Sequence, residues 1–260
     1  MTTATALPAA GTVLRTAAPP TASPAASPAV SPAGRSVVRP GRPQERDALA
    51  AVLAAAFADD ALMLWAFPDP EHRARVLPAF FRVHVDQCLA HRGVLVAHHA
   101  TDSATGSAAD GADGPGGPQD GEPLGALLFL PPGRWDDPRL HGGTAGAALA
   151  EAIDADGHGE SSRRLAAITR LQTLRHPRHR SHHYLAFVGV RPEDRRTRAG
   201  HALLHAFLTE VDTAGQAAYA ETSSPGGAHL LAAGGFARFG EAIALPGGGP
   251  RLAPVWRGPR

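Results

Sequence analysis

Between Ser181 and Asp212 the chain reads as a strand, a loop and a helix in immediate succession, and this unit constrains the fold more than any other stretch. SHHYLAFVGV (Ser181 to Val190) is an apolar β-like run, RPEDRRTRAG (Arg191 to Gly200) a polar loop, and HALLHAFLTEVD (His201 to Asp212) an amphipathic helix. Leu204, Leu208 and Val211 share one helical face, with Leu203 and Phe207 beside them, so the helix packs on a sheet while its N-terminus faces the loop. Such a junction offers backbone N–H groups without internal partners at the positive end of the helix dipole, which suits a phosphate. Arg195, Arg196 and Arg198 add cationic reach. From Arg163 to Arg198 the chain carries ten Arg against only Glu193 and Asp194, a local field that would draw a polyanion. A solvated Arg-rich surface is the plainer reading of the same run.

The remaining segments supply layers for that unit. SVVRP (Ser36 to Pro40) is a short strand, and Leu49, Val52, Leu53, Ala56 and Phe57 then recur at helical spacing. A short helix is expected over Ala61 to Phe67 and a longer one from Glu71 to His91, bent at Pro78. VLVAH (Val94 to His98) and GALLFLPPG (Gly125 to Gly133) read as strands, the second as a buried one ended by a double proline. Helical patterns follow over Thr144 to Ile153 and Ser161 to Arg175. The chain closes with a strand at Ala217 to Ser223, a helix at Ala228 to Ala233, and a hairpin with arms Glu241 to Leu245 and Leu252 to Trp256. Residues 1–35 are rich in Ala, Pro, Ser and Thr and read as a disordered tail without the pattern of an export signal, leaving residues 36–260 as one domain. Within that domain, residues 100–122 form a flexible surface loop of Gly, Asp, Ser and Ala.

Composition narrows the function. With 25 Lys+Arg (all Arg) against 24 Asp+Glu over 260 residues, the net charge of +1 argues against a general nucleic-acid binder. No run approaches the roughly 18 apolar residues of a membrane helix. Cys88 is the single cysteine, which excludes an internal disulfide or thiolate cluster and fits a reducing cytoplasm. The 14 histidines invite a metal reading, but no HExxH or Cys/His spacing occurs and neighbouring arginines would repel a cation, so no metal is assigned.

HHYLAFVGVRPEDRRTRAGHALL resembles the central motif of the GNAT N-acetyltransferase superfamily, in which a strand ending in aliphatic-Gly-Val leads through R/Q-x-x-G-x-G/A into a helix. FADDALMLWAFPD (Phe57 to Asp69), LFLPPGRW (Leu128 to Trp135), AETSSPGGAHLLAAGGF (Ala220 to Phe236) and PGGGPRLAPVWR (Pro246 to Arg257) are similar, in the same order, to segments of a branch related to puromycin-type acetyltransferases. The resemblance implies an α/β (α+β) GNAT fold: a mixed, mostly antiparallel central sheet with splayed strands 4 and 5, flanked by helices. It further implies acetyl-CoA as co-substrate, with the backbone of Val188, Gly189 and Val190 pairing with the pantetheine arm. The amides of Arg195, Arg196, Thr197, Arg198, Ala199 and Gly200 would hold the pyrophosphate. The acceptor would be a small-molecule amine that attacks the thioester directly.

The match has gaps. Arg198 stands where the family loop usually carries glycine and Arg196 where it commonly does, and only Arg195, Ala199 and Gly200 match the motif cleanly. After the fifth strand, Gly227 and Leu231 occupy the positions where relatives of that branch show Asn and a Tyr that protonates the departing sulfur. A catalytically degenerate GNAT-fold protein, acting as an acyl-CoA sensor or interaction module, is therefore the alternative to an active enzyme. For the base, Glu221 at the end of the fifth strand is the foremost carboxylate, its plain reading being a structural carboxylate. Period-two alternation puts His182 and Tyr184 on one face and His183 on the other, so His182 or Tyr184 could relay a proton, or simply pack. Asp59 and Asp60 could attract a cationic amine or cap a helix. Cys88 reads as core.

Overall fold

The computed structural model describes residues 36–100, 121–135, 149–153, 157 and 159–260, all within one compact unit, Ala33–Arg260. The expected tail, nearly all of the loop at 100–122 and the first part of the helix at Thr144 to Ile153 lie outside the described residues.

Strand β1 (Ser36–Pro40) is followed by a 3-10 turn and by helices α1 (Arg46–Phe57), α2 (Ala61–Ala66) and α3 (Pro70–Ala90). Asp60 and Asp69 cap α2 and α3, accepting from the N–H of Leu62 and His72, and α3 runs through Pro78 as one helix. Strands β2 (Val94–His99) and β3 (Gly125–Leu130) precede helix α4 (Gly159–Arg175). Next come β4 (His182–Val190), a 3-10 helix (Pro192–Thr197) and α5 (Ala199–Thr213). The remaining elements are β5 (Ala217–Thr222), α6 (Pro225–Ala233), β6 (Ala237–Arg238), β7 (Ile243–Ala244) and β8 (Arg251–Arg257). Helix α6 starts three residues earlier than its sequence pattern suggests, because Ser224 caps it at Gly227 N–H and Pro225 preorganises its first turn.

The sheet runs β1-β2-β3-β4-β5-β8-β6, with β7 beside β8. Every pairing is antiparallel except β4 with β5, whose parallel register needs the crossover that α5 provides. Both faces are covered, which is why β2 and β3 are apolar without alternation. Val94, Val96, Ala126, Leu128 and Leu130 face α1–α3, while Leu95, Ala97, Leu127 and Phe129 face α5. Burying one such Leu or Val contributes about 1.5–3 kcal/mol. Gly189 lets α1 approach closest to β4: a Cβ there would stand 2.9 Å from Ala56 Cβ and 3.1 Å from Leu53 and Phe57. At the far edge, Arg257 of β8 makes a bidentate ion pair with Asp212 of α5 at 2.6 and 2.7 Å.

What positions the site is where β4 and β5 part. Their pairing ends at Leu185↔Ala220, although β4 continues along β3 to Val190 and β5 continues along β8 to Thr222. Between Phe187 and Leu185 the register against β3 shifts, leaving Ala186 as the extra residue of a bulge that bends β4 at this point. From Ala186 onward, the β4 edge facing β5 is unpaired among the described residues.

Candidate active site

Beside that divergence lies a cavity of about 170 Å³. Phe57, Phe80, Phe187 and Met63 form one wall, α4 contributes Leu165, Ile168, Thr169 and Gln172, and Trp135 with His176 closes the opposite side. Phe80 and Phe57 meet Phe187 edge to face at 6.1 and 5.7 Å, which fixes the apolar wall. Among the described residues two carboxylates, Asp60 and Glu221, reach this space and no Arg lines it.

Glu221 sits at the end of β5, surrounded by protein but with a face on the cavity. Period two brings Tyr219 to its side of the strand, and the parallel register sets Tyr184 of β4 opposite Tyr219. The chain's only two tyrosines therefore meet at one carboxyl. Tyr184 donates its hydroxyl hydrogen to Glu221 Oε2 at 2.9 Å. Burial pushes the Glu221 carboxyl up to about 7, while interactions with Tyr219, Tyr184 and Gln172 pull it back toward ionisation. The Tyr219 hydroxyl and Glu221 Oε1 are both buried without a well-formed hydrogen bond, so this electrostatic contact is looser than the one to Tyr184. Burial and the neighbouring carboxylate hold the Tyr184 phenol far above its ordinary range, so it acts as a donor.

His182 and Tyr184 share the face predicted for them. His182 is buried beneath His176 and does not itself line the cavity, whereas Tyr184 does. His183 points the other way, between Phe129 and Phe207 at 5.9 and 6.3 Å. Asp60 takes the capping role raised for it, at the start of α2, and it also lines the cavity. Its oxygens are engaged by Leu62 N–H and, at 3.0 and 2.9 Å, by the Ser223 hydroxyl. Leu231 is 3 % exposed and packed in the core against α5, so no donor stands at that position. Cys88 is likewise core, its thiol pushed up by burial.

The sequence reading did not single out His176, Gln172 or Tyr219. Gln172 lies on a helix whose apolar stripe says only that it covers the sheet. Tyr219 had a usable signal, being two residues before Glu221 on one strand.

The β4–α5 loop is where the sequence resemblance implies a phosphate cradle. Arg198 adopts φ +62°, the left-handed conformation that glycine favours, so the chain takes the turn without glycine. Ala199 N–H reaches only the Thr197 hydroxyl, at 3.4 Å, and Gly200 N–H makes no hydrogen bond among the described residues. Arg195, Arg196 and Arg198 are exposed, with Arg195 touching the Ala56 carbonyl at 3.4 Å, so their side chains do not fill the cradle. An added Cβ on Gly200 would meet Val190 and Leu230 only at 3.6 and 3.8 Å. These features fit an anionic diphosphate at the loop and an extended amide-bearing arm along the free β4 edge.

No family profile matches the chain, and no curated protein does. Among solved structures it is similar to a histone acetyltransferase HPA2-related acetyltransferase from Corynebacterium glutamicum, at 24% identity and TM-score 0.57 over 87% of this chain and 97% of that one. An apo mutant of an agmatine N-acetyltransferase aligns at 16% identity and TM-score 0.52, covering 85% of this chain and 98% of that one. A protein of the mosquito Aedes aegypti assigned as arylalkylamine N-acetyltransferase 7 gives 16% identity and TM-score 0.53, over 85% and 86% of the two chains. The mixed, mostly antiparallel sheet that opens between β4 and β5, flanked by helices, is the fold of the GNAT N-acetyltransferases.

Proposed function

We propose that this chain is an acetyl-CoA-dependent N-acetyltransferase that acetylates a primary amine of a small molecule by direct attack on the thioester. The observation that carries the reading is Glu221, a carboxyl raised to about 7 at the point where β4 and β5 part, in a cavity whose described lining holds two carboxylates and no Arg. Such a lining favours a cationic occupant. A cavity of about 150 Å³ accommodates a benzene ring, so 170 Å³ walled by Phe57, Phe80 and Phe187 suits a compact amine with an apolar body. The amine classes named for the structural neighbours, agmatine and arylalkylamines, are the first to test.

The amides of Ala199 and Gly200, with those of Arg195, Arg196, Thr197 and Arg198 around them, would hold the pyrophosphate, and Val188, Gly189 and Val190 the pantetheine arm. Bound there, acetyl-CoA supplies an acyl group activated as a thioester. Glu221, ionised above about pH 7, takes the proton that a primary ammonium must lose before its nitrogen can attack. Tyr184 orients the carboxylate through Oε2. The aromatic wall excludes water and fixes the amine's approach.

Leu231 favours a second reading, in which the chain binds acyl-CoA without turnover, since it is a buried leucine at the position where the sequence resemblance implies a sulfur-protonating Tyr. Calorimetry with acetyl-CoA followed by thiol release across an amine panel decides between them. Binding with amine-dependent release is expected, binding without release favours the sensor, and absence of binding overturns both. Gly200→Trp should abolish acetyl-CoA binding while leaving the thermal unfolding transition in place. Unchanged affinity in that variant removes the loop from the account.

A further inference from the structure

His176 and His182 form a buried pair whose hydrogen bonds fix their tautomers. His182 Nδ1 lies 2.6 Å from the Arg180 carbonyl, which can only accept, so this nitrogen carries a hydrogen. Burial keeps His182 neutral, which leaves its Nε2 as an acceptor. That nitrogen is 2.9 Å from His176 Nε2, which must then be the donor. His176 is also held neutral, by burial and by the nearby His182 and Arg178, so its remaining nitrogen, Nδ1, carries a bare lone pair. Among the described residues Nδ1 meets no partner, and the ring lines the cavity. The ring cannot swing away: it stacks on Trp135 at 3.8 Å and 20°, with Arg178 over the indole at 4.9 Å, and it meets Tyr184 and Tyr219 edge to face at 5.2 and 5.1 Å.

We propose that His176 Nδ1 binds one N–H of the acceptor amine while Glu221 takes another, and that His182 is a positioning residue that acts through His176 by locking its Nε2–H tautomer. This assignment rests on the transferase reading and adds to it. A three-point hold on a primary amine (His176, Glu221 and the apolar wall) leaves the nitrogen lone pair one direction of approach. A donor in place of His176 Nδ1 would repel the same amine.

The test uses the full chain with 15N-labelled histidine. Wild type is expected to show His176 with Nε2 protonated and Nδ1 unprotonated, and a protonated Nδ1 overturns the assignment. In kinetics, His182→Phe and His176→Phe should each raise the amine KM by about tenfold or more, with kcat and the acetyl-CoA KM within about threefold. His176→Phe keeps the stack on Trp135. His182→Gln, which can accept from His176 while donating to the Arg180 carbonyl, and His176→Asn, which restores an acceptor near Nδ1, should return KM to within about threefold of wild type. Equal losses in the Phe and amide variants overturn the proposal, and if His182→Phe does not fold, the His176 pair decides alone. A locked ring with no turnover sinks only the transferase reading, whereas turnover with Nδ1 protonated sinks only this assignment.

Discussion

Glu221 is the residue at which stability and chemistry oppose one another. Its carboxyl is raised from 4.5 to about 7 by burial, so the native protein holds a proton that the unfolded chain has released across that range. The residue's contribution to stability is thus fully present below about pH 4.5 and is lost as pH rises to about 7. Glu221→Gln should therefore stabilise the fold at pH 8 by about 1–3 kcal/mol in denaturant titrations, the gap narrowing toward pH 4.5. Tyr184→Phe removes the hydrogen bond that favours the carboxylate, so the acidic limb of a kcat/KM profile should move to higher pH. An unmoved limb would assign the limb to another group. Glu221 and Tyr184 were legible because the resemblance of AETSSPGGAHLLAAGGF and of the fourth strand to the GNAT pattern singles them out, strand alternation adding only that His182 and Tyr184 share a face. His176 was not, since nothing within RHPRHRSHHY marks which histidine stacks on Trp135 at the cavity wall.

At the level of elements, the strand-loop-helix unit around β4 and α5 was readable because its periods change abruptly at Arg191 and Gly200. The parting of β4 and β5 was not readable from residues alone, as it depends on a bulge at Ala186 and on β8 drawing β5 aside. The position of α4 over the cavity was equally hidden, because an apolar stripe does not say which part of a sheet it covers. Arg198 separates conformation from side chain in the loop. An L-residue in the left-handed region costs about 1–2 kcal/mol, part of which a glycine gives back through unfolded-state entropy. Arg198→Gly should thus stabilise by about 0.5–1 kcal/mol in equilibrium unfolding. Acetyl-CoA affinity should hold within about threefold by calorimetry, because the guanidinium is exposed and the proposed phosphate contacts are made by backbone amides. A tenfold loss would show instead that the guanidinium clamps a phosphate.

Across the whole molecule, the two-sided sheet brings Asp60, Glu221, Tyr184 and His176 to one cavity, with Tyr219 and His182 packed behind them. The loop ahead of α5 lies at the end of the same β4 edge, and on the transferase reading proposed above an activated acyl group and an amine would meet at Glu221. Sequence resemblance pointed to this architecture through collinear segments from Ser36 onward, while the departures at Arg198 and Leu231 left activity open. The most direct test is amine-dependent thiol release from acetyl-CoA, followed from pH 5.5 to 9 in wild type and Glu221→Gln. The account predicts a wild-type kcat/KM that falls as pH drops below about 7 and a loss of about 10²–10⁴ in the variant at pH 8. Equal rates in the two proteins, or bound acetyl-CoA with no release on adding amine, would contradict it.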